Sequence, residues 1–295
     1  MRIGYIGLGD IGAPMAQRIA RAGLPLTVWN RTASKMAPLA DDGAATTGSA
    51  TELADSSEIV FLCIDSASGI EEILFGRAGV VAASTRPRLV VDNSTMPPEF
   101  AVGIAARLAE AGVAYVDAPV SGGAPGARAG TLAVMAGGEA SDIELARPAI
   151  MTFAGKLTHV GPVGCGMVAK ACNQTIQFVT AAAIAEACNL GQGFGLEVGK
   201  LAEAFEGGNA DSSILRQYRQ ATLEGRNDSI TWVINAMRRY LNGNLDPRHR
   251  GVYTMLLKDF GIALNSGRAM GKVMPTLATA ETAFRIMNIK PETAG

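Results

Sequence analysis

The sequence predicts an α/β protein in two parts: a doubly wound, largely parallel sheet with helices on both faces, followed by an all-α C-terminal part. Three observations carry this. Short apolar runs alternate with helical stretches through the first half of the chain. A glycine-rich loop, Gly7-Leu8-Gly9-Asp10-Ile11-Gly12, directly follows the first run. Beyond residue 166 the pattern turns Ala-rich and helical throughout.

Taken in order, residues 2–6 form the first strand and 14–22 the first helix. Residues 26–29 give a second strand. The run Ile59-Val60-Phe61-Leu62-Cys63-Ile64 is the heart of a third. Residues 88–91 give a fourth strand, ending at Asp92, and 112–116 a fifth, ending at Asp117. Segments 131–136 and 157–160 read as strands nearer the edge, and 99–111 as one of the intervening helices. Residues 167–192 contain no Pro and a single Gly, Gly191, and read as one long helix. Helices over 197–206, 212–223, 230–241, 253–267 and 275–287 follow. The boundary is expected in the glycine-rich segment 161–166, giving a dinucleotide-binding domain over 1–163. The all-helical substrate and oligomerisation domain is expected over 164–295.

Composition excludes several classes. The chain has 295 residues, 48% hydrophobic and 18% charged, enough for two domains with their own cores. A net charge of -1 gives no electrostatic footprint for nucleic acid or an anionic membrane, so neither is an expected partner. No apolar run reaches the length of a membrane span, and the N-terminus enters a strand at once, so a cytoplasmic protein without a signal peptide is expected. None of the four cysteines pairs as C-x-x-C, and all four are expected as buried free thiols in a reducing compartment. The two histidines, His159 and His249, lack partner motifs and read as ordinary structural or surface residues. No metal site is expected.

The glycine loop has the context that gives G-x-G-x-x-G meaning: a strand before, a helix after, and a second strand about 20 residues on. This is a Rossmann unit. Gly7 permits the tight turn, Gly9 lets the backbone approach a pyrophosphate, and Gly12 lets helix pack on strand. Leu8, Asp10 and Ile11 complete the cradle at the helix N-terminus. The second strand ends in Asn30-Arg31-Thr32 rather than an acidic residue. An acidic side chain there would bind a ribose 2′-hydroxyl and repel a 2′-phosphate. Arg31 offers charge-assisted bonds to a phosphate, with Thr32 and Lys35 nearby, so NADP(H) is expected over NAD(H). The alternative is a solvated Arg31 and use of either cofactor.

Ligands of open α/β sheets bind beyond the carboxyl ends of the strands. Ile64-Asp65, Asn93-Ser94-Thr95 and Ser121-Gly122-Gly123 occupy such positions. The last group offers a hydroxyl and backbone amides suited to a carboxylate; it reads equally as a turn into the next strand. Lys170 lies in the first turns of the long helix, with Asn173 and Gln174 at i+3 and i+4 and Gln177 beyond. A polar stripe on an otherwise apolar helix suits the lining of a cleft; a solvated face is the alternative. Lys258-Asp259 reads by itself as a surface pair.

Together these motifs resemble the β-hydroxyacid dehydrogenase family, which includes 3-hydroxyisobutyrate dehydrogenase and tartronate semialdehyde reductase. The resemblance runs through the glycine loop, Asp92-Asn93-Ser94-Thr95, the segment 117–123, Gly130-Thr131-Leu132, the segment 161–174 and Lys258-Asp259. It implies that Lys170 is the general acid/base of hydride transfer between a small β-hydroxy acid and its semialdehyde or keto acid. It implies that Ser121, Gly122 and Gly123 hold the substrate carboxylate, and that Asn173 and Gln174 orient the substrate. It also implies cofactor contacts from Ile64, Thr95 and Lys258, and assembly as a homodimer or homotetramer. A lysine ordinarily titrates near pH 10.4, so this role would call for burial that favours the neutral amine.

Two features depart from the pattern. Ile64-Asp65 stands where many members carry Leu-Pro, and Asp65 would either disturb cofactor binding or cap a turn. An apparent insertion of roughly 20 residues at 227–250, carrying Trp232, Arg238, Arg239, Arg248 and Arg250, reads as a surface excursion of the tolerated kind, or as a reshaped substrate mouth or subunit contact. Two other functions fit the fold. Imine reductases of this fold usually carry Asp or Tyr where this chain has Lys170. A non-catalytic NADP-binding module would lack that lysine.

Overall fold

The computed structural model describes residues 1–227, 229–244 and 250–288. The described chain divides into two compact units, Met1–Lys170 and Ala171–Gly295. The division falls inside one continuous helix.

The first unit opens with β1 (Ile3–Ile6), α1 (Gly12–Arg21), β2 (Leu26–Trp29), α2 (Ala37–Asp41), β3 (Ala45–Thr46), α3 (Ala50–Ser56) and β4 (Ile59–Leu62). Then come α4 (Ala67–Phe75), β5 (Leu89–Asp92), α5 (Pro98–Glu110), β6 (Ala114–Asp117), β7 (Val120–Ser121), α6 (Gly123–Ala129), β8 (Leu132–Gly137), α7 (Ala140–Phe153) and β9 (Ala154–Gly161). The sheet order is β3-β2-β1-β4-β5-β6-β8-β7, with β9 on β8. All pairs from β3 to β6 are parallel, as is β8 with β9; β8 runs antiparallel to β6 and β7.

The continuous apolar runs are explained by burial on both faces. Ile59 and Phe61 enter one core with Ile3, Tyr5, Val28 and Val91. Val60 and Leu62 enter the opposite core with Ile6 and Val90. Strand order reverses between β1 and β4, the switch point at which an open α/β sheet leaves a crevice beyond its carboxyl ends.

The helix α8 (Cys165–Gly193) begins in the first unit and continues into the second. The second unit adds α9 (Val198–Ala204), α10 (Ser213–Leu223), α11 (Ser229–Leu241), α12 (Arg250–Ala269) and α13 (Pro275–Asn288). Phe178 stacks on Phe260 with ring centroids 4.5 Å apart, and Phe284 packs on Phe260 at 5.2 Å. No helix among the described residues is long and apolar enough to cross a membrane.

Two sequence expectations change here. The segment 230–241 is no surface excursion: Ile230, Val233, Ile234 and Met237 line one helical face and are buried in the second unit's core. Arg238 from the same helix donates to Asn189 and Gln192. Arg248 lies outside the described residues, as does His249. None of the four cysteines is in a disulfide, and not all are buried: Cys188 is buried, Cys63 and Cys165 are half-buried and Cys172 is exposed. His159 is exposed, as expected of a surface residue, with its ring against the Gly161 carbonyl.

Candidate active site

The glycine loop crosses the switch point between β1 and β4. Gly7 has φ +98°, a conformation that favours glycine, and a Cβ there would overlap the Cys63 carbonyl oxygen. A Cβ on Gly12 would overlap the Gly7 carbonyl oxygen. Gly9 differs: a Cβ there would meet nothing within 4 Å. Two glycines therefore exist for contacts inside the protein, and the middle one faces open space. No side chain caps α1, and its first turn holds no acidic residue. No acidic side chain within the helix itself offsets its N-terminal dipole. These residues fit the pyrophosphate of a dinucleotide.

Asn30 proves more structural than its place in the sequence implied. Its Oδ1 accepts from the Leu8 N–H at 3.0 Å, and its Nδ2 donates to the Thr32 carbonyl at 3.0 Å. It ties the glycine loop to the turn after β2. Arg31, Thr32 and Lys35 on that turn are exposed, and among the described residues Arg31 has no ion pair.

Beyond β4 and β5 the crevice is tied by side chains. The Ile64 N–H donates to Ser94 Oγ (2.9 Å), and the Ser94 N–H to Asp92 Oδ1 (2.9 Å). Asn93 Nδ2 donates to the Ala118 carbonyl (2.7 Å). Ile64 and Thr95 are half-buried at this end of the sheet, and the Ile64 side chain lies against Gly7. Ser66 caps α4 by accepting from the Gly69 N–H. Ser121 ends β7, and Gly122 and Gly123 follow with φ +130° and +60°, opening α6.

Asp92 and Asp117 are register partners on β5 and β6, and both side chains are fully buried. Tyr115 Oη donates to Asp92 Oδ2 at 2.9 Å. Asp117 accepts from the N–H groups of Gly164 and Met167, both at 2.8 Å, at the start of α8. Burial pushes the Asp117 carboxyl up to about 6; the two amide bonds oppose the shift and nearby Asp92 adds to it. Lys170 follows Met167 by three residues on the same helix and is buried, with 7% exposure.

Asn173, Gln174 and Lys258 belong to the second unit. Asn173 Nδ2 donates to Gln174 Oε1 (3.3 Å), and Gln174 Nε2 donates to Asp259 Oδ2 (2.7 Å). Lys258 and Asp259 are half-buried, so they do not form the surface pair that adjacency suggested. Sequence reasoning missed Asp259 as the anchor of Gln174, because 85 residues separate them.

A separate cavity of about 420 Å³ holds none of these residues. It is lined by Arg18, Arg21 and Arg128 among others. Arg18 is already engaged by the Thr152 and Arg128 carbonyls, and Arg21 by Asp42.

Glycine cradle and switch point define a dinucleotide-binding unit. Residues 2–161 match the NAD-binding domain of 6-phosphogluconate dehydrogenase, and residues 164–293 match the NAD-binding domain of NADP-dependent 3-hydroxyisobutyrate dehydrogenase. The chain is 32% identical over 288 residues to 2-hydroxy-3-oxopropionate reductase of Escherichia coli, covering 96% of this chain and 90% of that one. It is 32% identical over 286 residues to NAD-dependent L-serine dehydrogenase of Pseudomonas aeruginosa, covering 97% and 92%. Among solved structures, it matches Mycobacterium tuberculosis 3-hydroxyisobutyrate dehydrogenase with L-serine at TM-score 0.77 and 29% identity, covering 97% and 94%. A Streptomyces aurantiacus imine reductase, at 21% identity and TM-score 0.63, shares the fold alone. The chain belongs to the β-hydroxyacid dehydrogenase family, whose members are NAD(P)-dependent dehydrogenases and reductases.

Proposed function

We propose that this protein is an NADP(H)-dependent enzyme interconverting a small β-hydroxy acid and its semialdehyde or keto acid, with Lys170 as general acid/base. The observation that carries the reading is a buried lysine one helical turn beyond the carboxyl end of β6, on the side of the sheet where the glycine loop also opens. A buried titratable side chain at the ligand-binding end of a dinucleotide-binding sheet is a candidate for the chemistry.

Gly7, Leu8, Gly9, Asp10, Ile11 and Gly12 would hold the pyrophosphate, with Asn30 shaping the loop. Arg31 and Thr32 would receive the 2′-phosphate, and Ile64, Thr95 and Lys258 would contact the rest of the dinucleotide. The bound cofactor supplies the hydride donor or acceptor. Ser121 and the Gly122 and Gly123 amides would hold the substrate carboxylate, while Asn173 and Gln174, steadied by Asp259, orient its hydroxyl end. In reduction Lys170 Nζ gives a proton to the carbonyl oxygen; in oxidation it removes the hydroxyl proton.

The preference for NADP(H) rests on Arg31 and on the absence of an acidic residue at Asn30-Arg31-Thr32. The test is oxidation of NADPH, then NADH, with succinic, methylmalonic and tartronate semialdehydes against uncarboxylated aldehydes and cyclic imines. Turnover confined to carboxylated aldehydes, faster with NADPH, is expected. Turnover of imines alone would make it an imine reductase.

A further inference from the structure

We propose that Asp117 is the positioning residue of Lys170: its carboxylate clamps the first turn of α8 to the carboxyl end of β6 and thereby fixes where the lysine stands. This inference rests on the reading of Lys170 given above.

A helix begins with N–H groups that have no partner inside the helix. Ordinarily a Ser, Thr, Asn or Asp of the preceding turn satisfies them. The segment before α8 is Gly161-Pro162-Val163-Gly164, which contains no such side chain, and the first turn of α8 holds no acidic residue. The acceptor comes instead from the core of the sheet. Asp117 Oδ1 takes the Gly164 N–H and Oδ2 takes the Met167 N–H, each at 2.8 Å, so both oxygens of one rigid carboxylate grip one helical turn.

The surrounding glycines allow the grip to be this close. A Cβ on Gly166 would stand 2.6 Å from both the Asp117 and Met135 carbonyl oxygens, and one on Gly137 would stand 2.6 Å from Asp117 Oδ1. Strands β6 and β8 and the start of α8 therefore meet backbone to backbone. Lys170 lies about 4.5 Å further along the helix axis than Met167, too near for the helix to absorb an error at its base.

The clamp is a costly one. Asp117 is fully buried beside Asp92, whose own carboxylate is bonded to Tyr115; burial pushes the Asp117 carboxyl up to about 6. A solvated cap would satisfy the same amides without this cost, but would not tie the helix to the end of β6.

The test compares Asp117→Asn with wild type in the full-length protein. Asparagine keeps the shape but opposes one N–H with its own amide hydrogens. Four readouts are taken: amide hydrogen exchange at Gly164 and Met167, NADPH affinity, the kcat and KM of the best semialdehyde substrate, and the pH–rate profile. Expected are faster exchange at one or both amides and NADPH affinity within twofold of wild type. The kcat is expected to fall about 10–100-fold with KM nearly unchanged, and the profile to be displaced, since an error near 1 Å in a catalytic group costs on that order. On a Lys170→Ala background the same substitution should cost nothing further, because Asp117 acts through the lysine.

Wild-type kcat and profile in Asp117→Asn, with only a lower Tm, would overturn the proposal; so would additive losses in the double variant. If Asp117→Asn does not fold, Gly166→Ala displaces the same turn and should show the same fall in kcat; an unchanged rate there would equally overturn it. If Lys170→Ala alone keeps the wild-type rate, the functional reading fails, while hydrogen exchange still reports on the clamp.

Discussion

Substituting alanine separately at Gly9 and Gly12 should divide one motif into two roles. At Gly12 the added Cβ overlaps the Gly7 carbonyl oxygen, so backbone must move. Overpacking of this kind costs about 1–3 kcal/mol. At roughly 2–4 °C per kcal/mol, the Tm should fall by roughly 2–12 °C. At Gly9 the Cβ meets no protein atom within 4 Å, so the Tm should hold or rise slightly. The methyl group would instead occupy the space through which a pyrophosphate approaches. Loss of one charged hydrogen bond, about 1.5–3 kcal/mol, raises the Kd for NADPH about 10–150-fold. Differential scanning fluorimetry and NADPH fluorescence titration read the two quantities separately. A Gly9→Ala protein that bound NADPH within twofold of wild type, or lost as much Tm as Gly12→Ala, would refute the reasoning.

Arg31→Asp should lower kcat/KM for NADPH about 10–100-fold and leave NADH nearly unaffected, by exchanging a phosphate partner for a repelling charge; an unchanged NADPH-to-NADH ratio would remove the preference. Asp117 has a folded-state pKa raised to about 6 from 3.8, so its contribution to stability is fully present below about pH 4 and is lost as pH rises through 6. The stability of wild type relative to Asp117→Asn should therefore fall by about 2–3 kcal/mol between pH 4 and 7, measured by urea denaturation; a flat difference would contradict the burial argument. Ile234→Ala, in the core face of α11, should destabilise by about 2–5 kcal/mol, and a change below about 0.5 kcal/mol would restore the surface reading of that segment.

The strands β1, β4 and β5 are legible because each is a short apolar run buried on both faces, and β2 because it alternates buried and half-buried residues. The strands β3 and β7 are two residues each, too short to show any period. The strand β9 starts earlier than its apolar residues, at Ala154, because Gly155 and Lys156 lie on an exposed edge where pairing with β8 alone defines the strand. The long helix α8 is visible from its lack of breakers, and α11 from its spacing. Its burial is not visible, since spacing gives an apolar face but not what covers it.

The same division holds for the site. Gly7, Gly9 and Gly12 announce themselves, and so does the stripe at Lys170. The partners that hold these residues do not. Asn30 and Leu8, Ser94 and Ile64, Asp117 and Met167, and Asp259 and Gln174 are each joined only by strand register or helix packing. A carboxylate at the end of a strand looks the same in sequence whether it faces solvent, cofactor or the base of a helix.

The central claim is that Lys170 moves the proton, and a Lys170→Ala variant tests it most directly. NADPH oxidation by wild type and variant should be followed with the preferred semialdehyde, and NADPH affinity measured in parallel. Unchanged affinity with kcat lowered about 100- to 10,000-fold is the expected result. A variant that binds NADPH normally and keeps most of its rate would contradict the account.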